Sequence, residues 1–169
     1  LMLRLLCQAC PEGNFPRRRS DLYRQCLFGL LRDWHIHDKE HMSKYTDTQL
    51  SETDIEGLVE VLGQLGYQLH RKKVQQFREG DIRPLIESFL TQLHRKRPWH
   101  ELSREQTNPT VLLRRFKEDG IFVTSPGGRQ RELLFLHLTF QEYLAARALA
   151  RLPDCIERAL DHIYDPAWS

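Results

Sequence analysis

No run of apolar residues in this chain approaches the roughly 18 that a membrane-spanning helix requires, so no membrane segment is expected. Cysteine is scarce. Cys7, Cys10, Cys26 and Cys155 are too few and too unevenly placed for a disulfide framework in 169 residues, and a reducing, cytoplasmic setting is the expectation. No Gly-Lys dipeptide occurs anywhere, which excludes the GxxxxGK[ST] loop that cradles nucleotide phosphates; no apolar strand ends in paired acids suited to Mg²⁺. Ser-His-Asp, Cys-His and paired-carboxylate arrangements are not readable either, so no enzymatic activity is expected of this chain by itself. Repeats and low-complexity tracts are missing. Position 1 is not Met, and the apolar residues 1–10 lack a preceding basic region and are interrupted by Arg4, which argues against a signal peptide. The expectation is a piece of a larger product.

What is present describes a folded chain. Apolar residues make up 40% and charged residues 28%, a balance unlike a disordered or collagen-like chain or a membrane bundle. The length fits one ordinary domain or two small ones. Net charge is only +2, but its distribution is uneven: +2 over residues 1–40, −4 over 41–66, +7 over 67–131 and −3 over 132–169. A basic middle of this kind fits a nucleic-acid surface, a phosphate-bearing ligand or an acidic partner, and does not choose among them.

Periodicity organises the chain. Ser20 precedes Leu22, Tyr23, Cys26, Leu27, Leu30, Leu31 and Trp34, the stripe of an amphipathic helix. Pro11, Gly13, Asn14 and Pro16 break the chain before it, so residues 1–10 read as a separate helix. Ser51 and Asp54 resemble a capping box that opens a helix through Ile55, Leu58, Val59, Leu62 and Leu65, ending at Gly66. A fourth helix is expected over residues 81–93, with Pro84 in its first turn. Residues 110–119 read as a short helix stopped by Gly120, residues 121–123 and 133–136 as two strands joined by a turn at residues 125–129, and residues 138–151 as a long helix stopped by Pro153. A final amphipathic piece carries Ile156, Ala159, Leu160 and Ile163. The expected fold is mainly α: a helical bundle over residues 1–80, a winged-helix domain with a small β-hairpin over 81–151, and residues 152–169 opening a second helical domain.

Residues 135–146, FLHLTFQEYLAA, run from a strand end straight into a helix and form the most specific string in the chain. This string resembles the winged-helix signature of NACHT-type STAND ATPases, the class that includes NOD-like receptors and many bacterial defence and signalling proteins. Residues 1–7 (LMLRLLC), 15–34 (FPRRRSDLYRQCLFGLLRDW) and 162–169 (HIYDPAWS) resemble further segments of the same family in the same order. The resemblance implies a nucleotide-binding core upstream and sensing repeats downstream, with ADP or ATP bound by the full-length parent. It also implies a role for His137, which in similar proteins touches the β-phosphate of ADP and latches the winged helix onto that core. Release on exchange for ATP would then allow homo-oligomers to form. An imidazole between a strand and a helix N-terminus is chemically suited to bonding a phosphate; its plainer role is a hydrogen bond at a strand end. For Gln141, Glu142 and Tyr143, which also match the string, packing and capping are the expected roles.

Two other constellations read as structural. Cys7 and Cys10 form a lone CxxC with no second ligand pair at usable spacing, so no metal site is expected. His35, His37 and His41 fit a solvated segment between helices better than a ligand set. The basic groups at residues 17–19, 71–73 and 95–97, with Arg114, Arg115, Lys117, Arg129 and Arg131, support the alternative of a stand-alone nucleic-acid-binding winged helix. In that reading the 110–119 helix enters the major groove and Gly127, Gly128 and Arg129 contact the backbone. Yet the helix shows no array of Asn, Gln or Arg aimed at base edges.

Overall fold

The computed structural model describes residues 16–32, 50–96, 107–125, 132–162 and 164. The expected helix at residues 1–10, its breakers Pro11, Gly13 and Asn14, and the last residues, Ile163 and Trp168 among them, lie outside the described residues. Six helices and three strands are found among the described residues: α1 (Arg19–Arg32), α2 (Glu52–Arg71), β1 (Phe77–Arg78), α3 (Glu79–Lys96), α4 (Pro109–Glu118), β2 (Phe122–Thr124), β3 (Glu132–Phe135), α5 (Leu138–Leu149) and α6 (Cys155–His162). The mainly helical winged-helix architecture is as expected.

Local chemistry sets both ends of α2 and of α4. Ser51 caps α2, its Oγ accepting from the Asp54 amide at 3.1 Å, and Asn108 caps α4, its Oδ1 accepting from the Thr110 amide at 2.9 Å with Pro109 at the first helical position. Two helices end in the same Schellman pattern. At the end of α4, Gly120 (φ +73°) donates to the Lys117 carbonyl and Ile121 to Phe116; at the end of α2, Lys73 (φ +56°) donates to His70 and Val74 to Leu69.

Three elements depart from the sequence expectation by more than two residues. The α2 helix does not stop at Gly66 but runs on to Arg71. The reason is packing. A Cβ at Gly66 would lie 3.1 Å from the Leu144 Cβ and 3.3 Å from the Gln141 carbonyl, so glycine here serves the close approach of α2 to α5 and is not a terminator. The α3 helix is longer than expected at both ends and places Pro84 in its second turn, on an exposed side. Proline has no N–H to give the Gly80 carbonyl, and that carbonyl belongs to an exposed residue with open space around it.

The third difference is β1, which completes the hairpin into a three-stranded antiparallel sheet of order β1-β3-β2. Phe77 pairs with Leu133, and Phe122 with Phe135. Phe77, Phe122 and Phe135 meet edge to face, with centroids 5.0–6.0 Å apart, and Phe116 of α4 closes on Phe122 at 5.6 Å. Each such pair contributes about 0.5–1.5 kcal/mol beyond the area it buries. One continuous core runs from Cys26 and Leu31 of α1, through Leu58 and Leu62 of α2 and Ile86 of α3, to Phe140 and Leu144 of α5. The α5 helix therefore starts at the sheet and is clamped along α2. By contrast, α6 buries no residue, and Ile156 and Leu160 are exposed.

Candidate functional site

The step from β3 into α5 places His137. The amide of Leu136 donates to the Ile121 carbonyl at 2.8 Å, which holds the end of the sheet, and the His137 carbonyl accepts from the Phe140 amide at 3.0 Å, which begins the helix. Between these anchors His137 has extended backbone (φ −148°, ψ 142°) and is the N-cap of α5. Its Nδ1 lies 3.3 Å from the Thr139 amide and 2.9 Å from the Thr139 Oγ1. The residue is exposed, as is its neighbour Leu138, and Nε2 makes no hydrogen bond among the described residues. An exposed ring N–H beside the positive end of a twelve-residue helix can hydrogen-bond to an anion.

The other matched positions look inward. Gln141 is buried, and its Nε2 donates to the Val74 carbonyl at 2.9 Å, tying α5 to the turn between α2 and β1. The half-buried Tyr143 accepts at its hydroxyl from Arg147 at 3.2 Å and lies 5.5 Å, ring to ring, from Tyr23 of α1. Glu142 is exposed. Sequence reasoning missed Thr139, whose amide and hydroxyl both meet the His137 ring. The available signal was its place two residues after a residue at a helix start, but histidine is not among the usual capping residues.

Glu56 of α2 joins three helices. It accepts from Arg24 of α1 at 3.1 Å and from Arg147 of α5, and Arg151 stands 3.7 Å away. Its hydrogen bond raises the Arg24 pKa above the ordinary arginine value against the opposing effect of burial. These pairs cross-brace the helices that carry His137. A dent beside them, lined by Val59, Gly63, Ala148, Arg147 and Arg151, has room for about 10 Å³, the space of a single water, whereas small-molecule sites take roughly 300–1,000 Å³.

The cations of α4 are engaged within the fold. Arg114 pairs with Glu118 at 3.9 Å and Lys117 with Glu79 at 2.6 Å; Arg115 pairs with the buried Asp119 at 3.4 Å and donates to the Leu31 carbonyl of α1 at 3.4 Å. Residues 17–19 and 71–73, with Arg95 and Lys96, are exposed, while Arg97, Gly127, Gly128, Arg129 and Arg131 lie outside the described residues. Cys7, Cys10, His35, His37 and His41 also lie outside them. Among the described residues no group of three or more His, Cys, Asp or Glu side chains is placed to hold a metal, Cys26 and Cys155 take part in no disulfide, and no helix is long and apolar enough to cross a membrane.

No curated protein and no solved structure matches the chain. A family match does exist: residues 19–149, well over half of the chain and spanning α1 to α5, match the winged helix-turn-helix domain C-terminal to NACHT. With the sheet order, the helix pair α3–α4 and the β2–β3 hairpin all in place, the chain belongs to the family of winged helix-turn-helix domains that lie C-terminal to NACHT.

Proposed function

We propose that this chain is the regulatory winged-helix portion of a NACHT-type signal-transduction ATPase. In the full-length protein, the upstream NACHT core of the same chain holds ADP or ATP. His137 contacts the ADP phosphates from outside that core and so stabilises the closed state. Exchange for ATP removes this contact, the winged helix moves away, and protomers of the cytoplasmic protein assemble. The region is thus a two-state element biased by different contacts with the two nucleotides. It is not an enzyme by itself, because the residues here offer a nucleotide one phosphate contact and no loop to enclose it.

The observation that carries this reading is the exposed His137 ring at the N-cap of α5, on a helix braced to α1 and α2. A phosphate oxygen fits this donor chemically, since the ring N–H and the helix end both favour negative charge. The test is the oligomeric state of the parent protein carrying His137→Ala without stimulus. A larger assembled fraction than wild type is the expected result. An unchanged monomer fraction together with unchanged ADP retention would remove the latch.

A further inference from the structure

We infer that Thr139 is a positioning residue for His137, fixing the neutral ring as the Nε2–H tautomer so that its single donor faces outward. The functional weight of this rests on the proposed phosphate contact; the tautomer itself does not. Two groups of Thr139 converge on one ring nitrogen: the amide at 3.3 Å and Oγ1 at 2.9 Å from Nδ1. A backbone N–H only donates, so the amide contact requires a lone pair at Nδ1. The hydroxyl can turn to donate to the same lone pair. A proton on Nδ1 would instead face the amide hydrogen and strip α5 of its N-cap bond. The neutral ring then carries its proton on Nε2, the nitrogen that makes no hydrogen bond among the described residues.

The consequence is a preset donor. A free imidazole divides between two neutral tautomers, and only one of them presents N–H at the outward nitrogen. In this site the helix start selects that tautomer before any ligand arrives. A phosphate oxygen meets a donor without waiting for proton transfer. The half-buried Thr139 side chain acts through the ring and does not itself face the ligand. The amide sets the tautomer and the hydroxyl adds a second, shorter contact to the same lone pair, so serine at this position keeps both contacts, whereas valine, of nearly the same shape, keeps only the amide and holds the tautomer less firmly.

The experiment is nitrogen NMR of the full chain with ¹⁵N-labelled histidine, the His137 signals being assigned by their loss in His137→Gln. The expected wild-type spectrum shows Nδ1 as an unprotonated, pyridine-type nitrogen and Nε2 as a protonated, pyrrole-type one. Thr139→Ser keeps this pattern, and Thr139→Val adds signals of the Nδ1–H form. A wild-type ring protonated at Nδ1, or a folded Thr139→Val protein with the wild-type pattern, would overturn the inference. If Thr139→Val populates both tautomers equally, half of the molecules present the wrong nitrogen and ADP affinity in the parent falls about twofold. The tautomer is read without nucleotide, whereas the phosphate contact is read by His137→Ala in the parent, so failure of one is distinguishable from failure of the other.

Discussion

Gly66 of α2 faces Leu144 of α5 so closely that a Cβ at position 66 would stand 3.1 Å from the Leu144 Cβ, with the Gln141 carbonyl and Ala145 amide at 3.3 and 3.4 Å. Two of these three neighbours are backbone atoms, which cannot move aside without shifting α5 and, with it, the His137 step. One helical turn earlier, the space at Gly63 is ordinary: 3.5 Å to the Leu144 carbonyl and 3.6 Å to the Ala148 Cβ.

The two glycines therefore respond oppositely to alanine. Alanine favours a helix interior by about 1 kcal/mol over glycine, so Gly63→Ala is expected to stabilise by about 0.5–1 kcal/mol. At Gly66, overpacking of about 1–3 kcal/mol exceeds that gain, and Gly66→Ala is expected to destabilise by about 1 kcal/mol. Urea midpoints of the two variants give the comparison, and equal shifts would contradict the close approach.

Gly120 gives a cleaner backbone test. Its φ of +73° is a left-handed conformation, and nothing lies within 4 Å of an added Cβ. The cost of Gly120→Ala is then the left-handed penalty alone, about 1–2 kcal/mol. The expected fall in Tm is a few degrees, about 2–4 °C per kcal/mol for a chain of this size. No fall would mean that α4 does not end in this motif.

Arg115 separates a structural role from a nucleic-acid one. Its guanidinium neutralises the buried Asp119 and reaches the Leu31 carbonyl of α1. Arg115→Ala is expected to cost about 2 kcal/mol of stability, the scale of a hydrogen bond to a charged group, while salt-dependent DNA affinity stays as in wild type. Thermal melts and a DNA titration of the full chain read the two. Loss of DNA affinity at unchanged stability would favour the alternative of a nucleic-acid-binding winged helix.

Much of this architecture could be read beforehand where several local signals agree. Ser51 and Asp54 before Ile55 and Leu58, and Gly120 after the 110–119 helix and before the strand at Ile121, each mark an element by more than one kind of evidence. Other features depend on distant parts of the chain. The β1 strand is two residues long, too short for any period to show, and exists because Phe77 fits against Phe122 and Phe135. Gly66 looks like a stop in sequence and is a packing site in space. At the candidate site, His137 was legible through the string around it, whereas Thr139 was not, because its role depends on a side chain capping a helix end that composition does not reveal.

The most direct test of the central claim is the rate at which pre-bound ADP leaves the full-length parent protein, compared between wild type and His137→Ala at one salt concentration. Loss of one hydrogen bond to a charged phosphate predicts release faster by about tenfold or more. An unchanged release rate in a folded His137→Ala protein would contradict the account and leave His137 only as the cap of α5.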